Sequence, residues 1–202
     1  KQVDSTVETD SGEESTKSAV IMRYFTVFNA EQAEWADKAP EYEKPKVRTE
    51  FEVLAEANKV MNDYLGRDGA PVLNYGGGRA YYSPKEDRIQ LPEQGAFTDD
   101  NAFYATAFHE MGHSTGHKSR LNRDGVVESH YFGSETYSEE ELVAEFTSAF
   151  LSNHTGIAPA VIDNSASYIK GWLGALKNEP KVLVKAIGRA QKASNFILGV
   201  EE

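Results

Sequence analysis

The fold of this chain is decided by the stretch Ala102-Phe103-Tyr104-Ala105-Thr106-Ala107-Phe108-His109-Glu110-Met111-Gly112-His113. Its large apolar residues recur at the i, i+3, i+4, i+7 spacing of a helix that packs on a core: Tyr104, Ala107, Phe108 and Met111. His109 and His113 are one helical turn apart, so both imidazoles project from one face and can reach one cation. Because other side chains supply the core face, core packing does not account for the histidines. The pattern predicts a metal-binding helix.

Glu110 follows the first histidine and completes an H-E-x-x-H pattern. In this pattern the histidines hold a catalytic zinc ion, and the glutamate accepts the proton of the metal-bound water. We therefore expect Zn²⁺ as the cofactor and Glu110 as the general base. The alternative is a pair of incidental histidines, or a metal that only stabilises the fold. A purely structural site has no use for an acid at position 110, which favours chemistry.

Two histidines leave the site incomplete, because a catalytic zinc ion usually has three protein ligands and a water. The next predicted helix offers the run Glu139-Glu140-Glu141-Leu142-Val143-Ala144-Glu145. Glu141 and Glu145 are spaced i, i+4 at the edge of its buried side, whereas Glu139 and Glu140 are expected to face solvent. We expect Glu141 to be the third ligand, and Glu145 to orient a ligand histidine from outside the coordination sphere.

Three alternatives remain open for this third position. His117 lies just beyond Gly116, where the central helix is expected to end in a left-handed turn, so it could coordinate or support the site. Glu145 could replace Glu141. Ser138 and Glu141 could instead form a capping box at the start of their helix, although Thr136 with Glu139 could supply that cap and leave Glu141 free.

Composition limits the classes of function. The 202 residues carry a net charge of −11 and 40% hydrophobic residues, which suits a globular domain and argues against binding a polyanion through a general positive field. Lys118, Arg120 and Arg123 form a small basic patch, expected to be solvated surface. With no cysteine, the metal ligands must be His, Asp or Glu. No apolar run is long enough for a membrane span and no secretion signal is present, so we expect a cytoplasmic protein. The chain begins with lysine, which suggests a fragment or a processed chain.

Three segments are predicted along the chain. Residues 1–17 are expected to be a flexible acidic lead, and residues 18–48 a strand over 19–29 with a proline-containing connector. The main domain, residues 49–202, begins with a helix that Thr49 and Glu52 cap and Gly66 ends. Short strands are expected at 71–75, 79–83 and 88–92, which together suggest a small twisted sheet. Further helices are expected from about 136 to 153, over 161–177 and over 180–198.

Four runs carry a family resemblance: Arg23 to Gln32, His109 to Arg123, Phe132 to Glu135 and Glu140 to Glu145. Together they resemble the zincin-like metallopeptidase domain of the ArdC-type antirestriction proteins of plasmids and phages, over about residues 23–198. The resemblance implies an α+β, zincin-like fold, with the small sheet on the metal-binding helix and the later helices closing the core. Residues 18–48 would then be the end of a preceding domain.

The resemblance also implies a function. A single-stranded-DNA-binding domain precedes the metallopeptidase domain in that family, and this chain lacks it, so single-stranded DNA is expected only through such a domain. We expect a zinc-dependent peptidase acting on a protein or peptide. Tyr137 could help zinc to stabilise the oxyanion, or could simply be packed. The rival hypothesis is a non-enzymatic, metal-stabilised module that serves antirestriction by binding DNA or a restriction component.

Overall fold

The computed structural model describes residues 2–8, 14–20, 48–127, 135–158 and 180–200, and the side chains of 48–127, 139–158 and 181–200. The chain divides into two units, Lys1–Lys46 and Val47–Glu202. In the first unit, strands β1 (Gln2–Glu8) and β2 (Glu14–Val20) pair antiparallel, with Gln2 opposite Val20 and Glu8 opposite Glu14. Of the expected flexible lead over 1–17, residues 2–8 and 14–17 are in strands, and the others lie outside the described residues. Acidic composition disfavours a core, but a two-stranded ladder needs only backbone N–H and C=O partners. The expected strand over 19–29 overlaps β2 only at Ala19 and Val20. Its remaining residues, 21–29, and the connector up to residue 47 lie outside the described residues.

Helix α1 (Glu50–Leu65) opens the second unit and begins where the sequence predicts. Thr49 accepts from the Glu52 backbone N–H, and the Glu52 carboxylate accepts from the Thr49 backbone N–H at 2.9 Å, which forms a reciprocal capping box. The predicted end at Gly66 is also confirmed. The helix buries Ala57, Val60, Met61 and Tyr64, which are the residues on its apolar stripe.

The predicted small sheet is present with shorter strands: β3 (Val72–Tyr75), β4 (Tyr81–Ser83) and β5 (Arg88–Leu91). The strand order is β3-β5-β4, with β5 parallel to β3 and antiparallel to β4. β4 is therefore an edge strand, and no other described strand pairs with its outer side. Ile89 and Leu91 of β5 are almost fully buried, so this strand packs on the core.

Helix α2 (Asp100–Ser114) carries the histidine motif through the middle of the core. Asp99 caps it by accepting from the Ala102 backbone N–H at 2.8 Å. The predicted apolar stripe is buried: Tyr104 is 6% exposed and Ala107, Phe108 and Met111 at most 1%. The predicted left-handed stop at Gly116 is wrong, because α2 ends at Ser114 with Thr115 in a right-handed conformation. Gly116 instead leaves room for neighbouring side chains, as described below.

Three further helices complete the described fold: α3 (Asp124–Val127), α4 (Glu135–Thr155) and α5 (Pro180–Leu198). α4 packs along α2, where Ser148 donates to the carbonyl of Ala105 at 2.8 Å. Because α4 begins at Glu135, Thr136 and Ser138 lie inside its first turns rather than at its cap, which removes the capping-box alternative for Glu141. The helix expected over 161–177 lies outside the described residues. Among the helices that are described, none has the length and apolar character needed to span a bilayer.

Candidate metal centre

Three side chains of types that can bind metal converge between α2 and α4. The Nε2 atoms of His109 and His113 are 3.2 Å apart. Glu141 presents one carboxylate oxygen to each ring, Oε2 at 3.6 Å from His109 Nε2 and Oε1 at 3.6 Å from His113 Nε2. The histidines come from successive turns of α2, and Glu141 comes from the facing turn of α4. Within the described part of the chain, this is the group whose His and carboxylate atoms could hold a metal ion.

The spacing of these atoms fits a small divalent cation. Ligand atoms that bind a tetrahedral ion at 2.0–2.2 Å are separated from one another by about 3.3–3.6 Å. The two Nε2 atoms are 3.2 Å apart, and each lies 3.6 Å from a different oxygen of Glu141, so these separations are close to that requirement. Two imidazoles and one carboxylate are also the donor set that suits zinc and related first-row metals.

Each histidine has a second carboxylate on the nitrogen that faces away from this point. Glu145 Oε2 lies 3.4 Å from His109 Nδ1, and Glu140 Oε1 lies 3.4 Å from His113 Nδ1. Burial alone would disfavour a charged imidazole, but hydrogen bonds with Glu141 and Glu145 outweigh it and raise the pKa of His109 to about 10. Glu145 therefore lies beside His109, and its role of orienting a ligand histidine stays a prediction.

Glu110 lies beside this group and is only 7% exposed. Its burial raises the pKa of the carboxyl, while His113 and His109 and a hydrogen bond from the backbone of Tyr82 oppose the rise. A carboxylate whose pKa is moved toward neutrality is suited to accept and return a proton near pH 7. The edge strand β4 therefore contacts the acid of the histidine motif through its main chain.

The expected solvent-facing positions of Glu139 and Glu140 are wrong. Glu139 is 9% exposed and Glu140 5% exposed, because each has a cationic partner that the sequence pattern did not reveal. Glu139 binds Lys185 and Arg189 of α5, at 3.0 and 2.6 Å. Glu140 binds Arg123, whose guanidinium holds the pKa of that carboxyl low against the opposing effect of burial.

The basic patch is also not the solvated surface that was expected. Arg123 is 6% exposed. Arg120 binds Asp87, the hydroxyl of Tyr82 and the carbonyl of Ser114, which ties the turn before β5 to the end of α2. Only Lys118 is exposed as predicted. No local spacing signals the Arg123–Glu140 pair, because its members are 17 residues apart on different elements.

The remaining predicted site residues lie elsewhere or cannot be located. His117 is not part of the converging group. Its Nδ1 is 2.7 Å from the Ser119 hydroxyl and 3.7 Å from the Asp87 carboxylate. The turn that follows α2 carries it to the sheet side, so neither coordination nor support of the ligands is seen for it. Tyr137 lies in the first turns of α4, and its side chain is outside the described residues.

A helix bearing two histidines, a carboxylate from the next helix and a small mixed sheet define the class of protein. The family model described as zincin-like metallopeptidase matches residues 60–189. The chain belongs to the zincin-like metallopeptidase family, and the expected α+β, zincin-like fold is confirmed.

Similar proteins narrow this class. The antirestriction protein ArdC of plasmid R388 is 32% identical in its Mn(II)-bound structure, with a TM-score of 0.61 over 98% of this chain and 68% of ArdC. Its metal-free structure gives 30% identity and a TM-score of 0.63. The DNA primase TraC of Escherichia coli is 37% identical over 179 residues, which are 89% of this chain and 12% of TraC. The uncharacterized protein y4eC of Sinorhizobium fredii is 33% identical over 183 residues. The chain spans 54% of y4eC, so it matches only part of these curated relatives.

Proposed function

We propose that this domain is a zinc-dependent peptidase that serves an antirestriction-type protein, with a protein or peptide as substrate. His109, His113 and Glu141 would hold the metal, and Glu110 would be the general base. The observation that carries the proposal is the convergence of two Nε2 atoms and one carboxylate at metal-ligand spacing, with a buried acid beside them. A divalent cation supplies, when bound, an acidified water and a Lewis acid for the substrate carbonyl.

The residues of the chain have separate roles in this proposal. Glu110 accepts the proton of the attacking water and returns it to the leaving amine, as its raised pKa allows. No described strand pairs with the outer side of β4, whose Tyr82 backbone reaches Glu110, and an extended peptide could add there as a further strand. Tyr137 stays a prediction as the oxyanion donor.

Replacing Glu110 by Gln tests the peptidase proposal. The variant should keep its metal content and melting temperature and lose about 10²–10⁴-fold in hydrolysis of a peptide library, because only proton transfer is removed. Glu50→Gln, an exposed residue in the first turn of α1, is the matched control and should keep full activity. Equal activity of Glu110→Gln and the wild type would exclude the general-base role.

The rival function, binding DNA or a restriction component without hydrolysis, makes a different prediction. In the full-length protein, antirestriction should then survive Glu110→Gln, and that result would exclude peptidase action as the basis of antirestriction. The chain itself should bind single-stranded DNA weakly. Arg120 and Arg123 are committed to carboxylates, which leaves Lys118 as the exposed cation of the patch near the motif. Fluorescence anisotropy at physiological salt measures this, and submicromolar affinity would favour the rival.

A further inference from the structure

We infer that Arg123 is a positioning residue for the metal site: through Glu140 it fixes the ring orientation and the tautomer of His113. The inference rests on the proposed metal site and adds to it a cation that does not touch the metal. Removing this cation should weaken metal binding even though all three proposed ligands and Glu110 remain in place.

The guanidinium of Arg123 uses its donors on two helices at once. Its Nε donates to Glu140 Oε2 at 2.9 Å and its Nη2 to Glu140 Oε1 at 2.6 Å, which is a two-point contact with the carboxylate. Nη1 donates to the Thr115 hydroxyl at 2.7 Å, and Nη2 also donates to the carbonyl of Gly112 at 2.8 Å. The planar guanidinium of arginine, with five N–H donors in fixed directions, can make all of these hydrogen bonds at once, whereas the single ammonium group of lysine cannot.

Glu140 links Arg123 to His113, one of the proposed metal ligands. Its Oε1, which Arg123 holds, lies 3.4 Å from His113 Nδ1. A carboxylate only accepts hydrogen bonds, so a bond here places the ring proton on Nδ1 and leaves the Nε2 lone pair for the metal. That Nε2 is the atom 3.2 Å from His109 Nε2 and 3.6 Å from Glu141. Carboxylates in this position generally fix the orientation and tautomer of the ligand histidine.

The loop after α2 is shaped to admit the Arg123 side chain. A Cβ atom at Gly116 would lie 2.5 Å from a Val126 methyl carbon and 3.0 Å from Arg123 Cζ, so only glycine fits. Asn122 has a φ of +48°, which turns the chain, and the Arg123 backbone N–H then donates to the carbonyl of Gly116 at 3.0 Å. Backbone and side chain of Arg123 are thus both anchored to the end of α2.

A second ion pair on α4 provides the matched control. Glu139 precedes Glu140, is also buried, and binds Arg189 of α5 at 2.6 Å. No contact of Glu139 with a ligand histidine is seen among the described residues. If ion pairs on α4 serve only to hold helices together, the two pairs should be equivalent. If Arg123 acts through His113, only substitutions in the Arg123–Glu140 pair should change the metal affinity.

The experiment compares Arg123→Lys and Glu140→Gln with Arg189→Lys and Glu139→Gln in the 202-residue chain. Zn²⁺ affinity is measured by competition with a chelating dye, and the far-ultraviolet circular dichroism of each variant checks the fold. Arg123→Lys and Glu140→Gln should weaken Zn²⁺ binding by about 10–100-fold, whereas the control pair should change it by less than about threefold. Equal losses in the two pairs, or wild-type affinity in Arg123→Lys, would overturn the inference.

A second measurement does not depend on the variants folding. Nitrogen-15 NMR of the histidine rings in the metal-free wild type reports which nitrogen of His113 carries the proton. Protonation at Nδ1 supports the inference, and a neutral His113 protonated at Nε2 contradicts it. Failure of the proposed metal site is distinguishable, because the wild type itself would then not bind Zn²⁺. Failure of the peptidase proposal would appear as unchanged hydrolysis in Glu110→Gln and would leave the Zn²⁺ affinities of the Arg123 and Glu140 variants as a separate result. Wild-type binding that is unchanged in Arg123→Lys rejects the inference alone.

Discussion

Gly112 lies between the two histidines, at a point where α2 packs tightly on α4. A Cβ atom there would lie 3.1 Å from Ala144 Cα, 3.2 Å from Thr147 Cβ and 3.3 Å from the carbonyl oxygen of Ala144. Two of these atoms belong to the α4 backbone, which cannot rotate away as a side chain can. Gly112→Ala therefore requires α4 to move by a few tenths of an ångström, and α4 carries Glu141 and Glu145 on either side of Ala144.

The magnitude follows from two opposing effects. Alanine in a helix interior is favoured over glycine by about 0.5–1 kcal/mol. Overpacking a well-packed contact costs about 1–3 kcal/mol. Gly112→Ala should therefore lower the free energy of unfolding by about 1–2 kcal/mol, which for a chain of this size is a fall of about 2–8 °C in melting temperature. Because the carboxylates move relative to the histidines, Zn²⁺ affinity should fall as well.

Gly188 supplies the matched control. It lies in the interior of α5, and apart from its chain neighbours and the backbone of its own helix no described atom lies within 4 Å of a Cβ added there. Gly188→Ala should therefore show the helix preference alone, a gain of about 0.5–1 kcal/mol, with unchanged metal affinity. Urea denaturation and Zn²⁺ titration of both variants measure these effects. A Gly112→Ala variant as stable as Gly188→Ala, with wild-type affinity, would refute the close contact of α2 with α4.

Three further predictions concern the cap, the core and pH. Thr49→Ala should lower the free energy of unfolding by about 1 kcal/mol in urea denaturation, whereas Thr49→Asp should retain the cap; equal losses would contradict it. Tyr64→Phe removes a buried hydroxyl 2.8 Å from the Ser114 hydroxyl and should cost about 0.5–1.5 kcal/mol; unchanged stability would show the bond contributes nothing. The pKa of His109 is raised from 6.5 to about 10, so its contribution to the stability of the metal-free protein is present below pH 6.5 and lost as the pH rises through about 10. Zn²⁺ must displace that proton, so Zn²⁺ binding at pH 7.5 should release protons. Calorimetry in buffers of different ionisation enthalpy measures this release, and identical binding heats in all buffers would contradict the prediction.

Local signals in the sequence were sufficient for much of the fold. The capping box of Thr49 and Glu52, the Asp99 cap and the apolar stripe of α2 depend on residues three or four positions apart, so their geometry follows from helix periodicity. The same periodicity placed His109 and His113 on one face. The family resemblance added the zincin-like fold, which the family model confirms.

Burial of charge followed no local signal. Glu139 and Glu140 were expected in solvent because helix periodicity places them away from the buried side that Glu141 and Glu145 border, yet both are buried against arginines from other elements. Arg123 was expected on the surface as a member of the basic patch. A charged side chain is buried only when a partner meets it, and the partner's position depends on the packing of whole helices. Strands β1 and β2 are a related case. Whether a segment forms a strand there depends on the strand that pairs with it, and the acidic composition of the segment does not reveal that pairing.

The sequence by itself determined the helix that carries the histidines, the acid beside them and the choice of His, Asp or Glu as ligands, since spacing and residue type are local properties. Only the tertiary structure shows that Glu141, and not His117, lies beside the two histidines. The packing of α4 on α2 brings Glu141 within 3.6 Å of both rings, while the turn after α2 directs His117 to Asp87. Which side chains lie close together depends on the angle at which helices cross and on the direction that a turn gives to the chain. The spacing of residues within one motif determines neither.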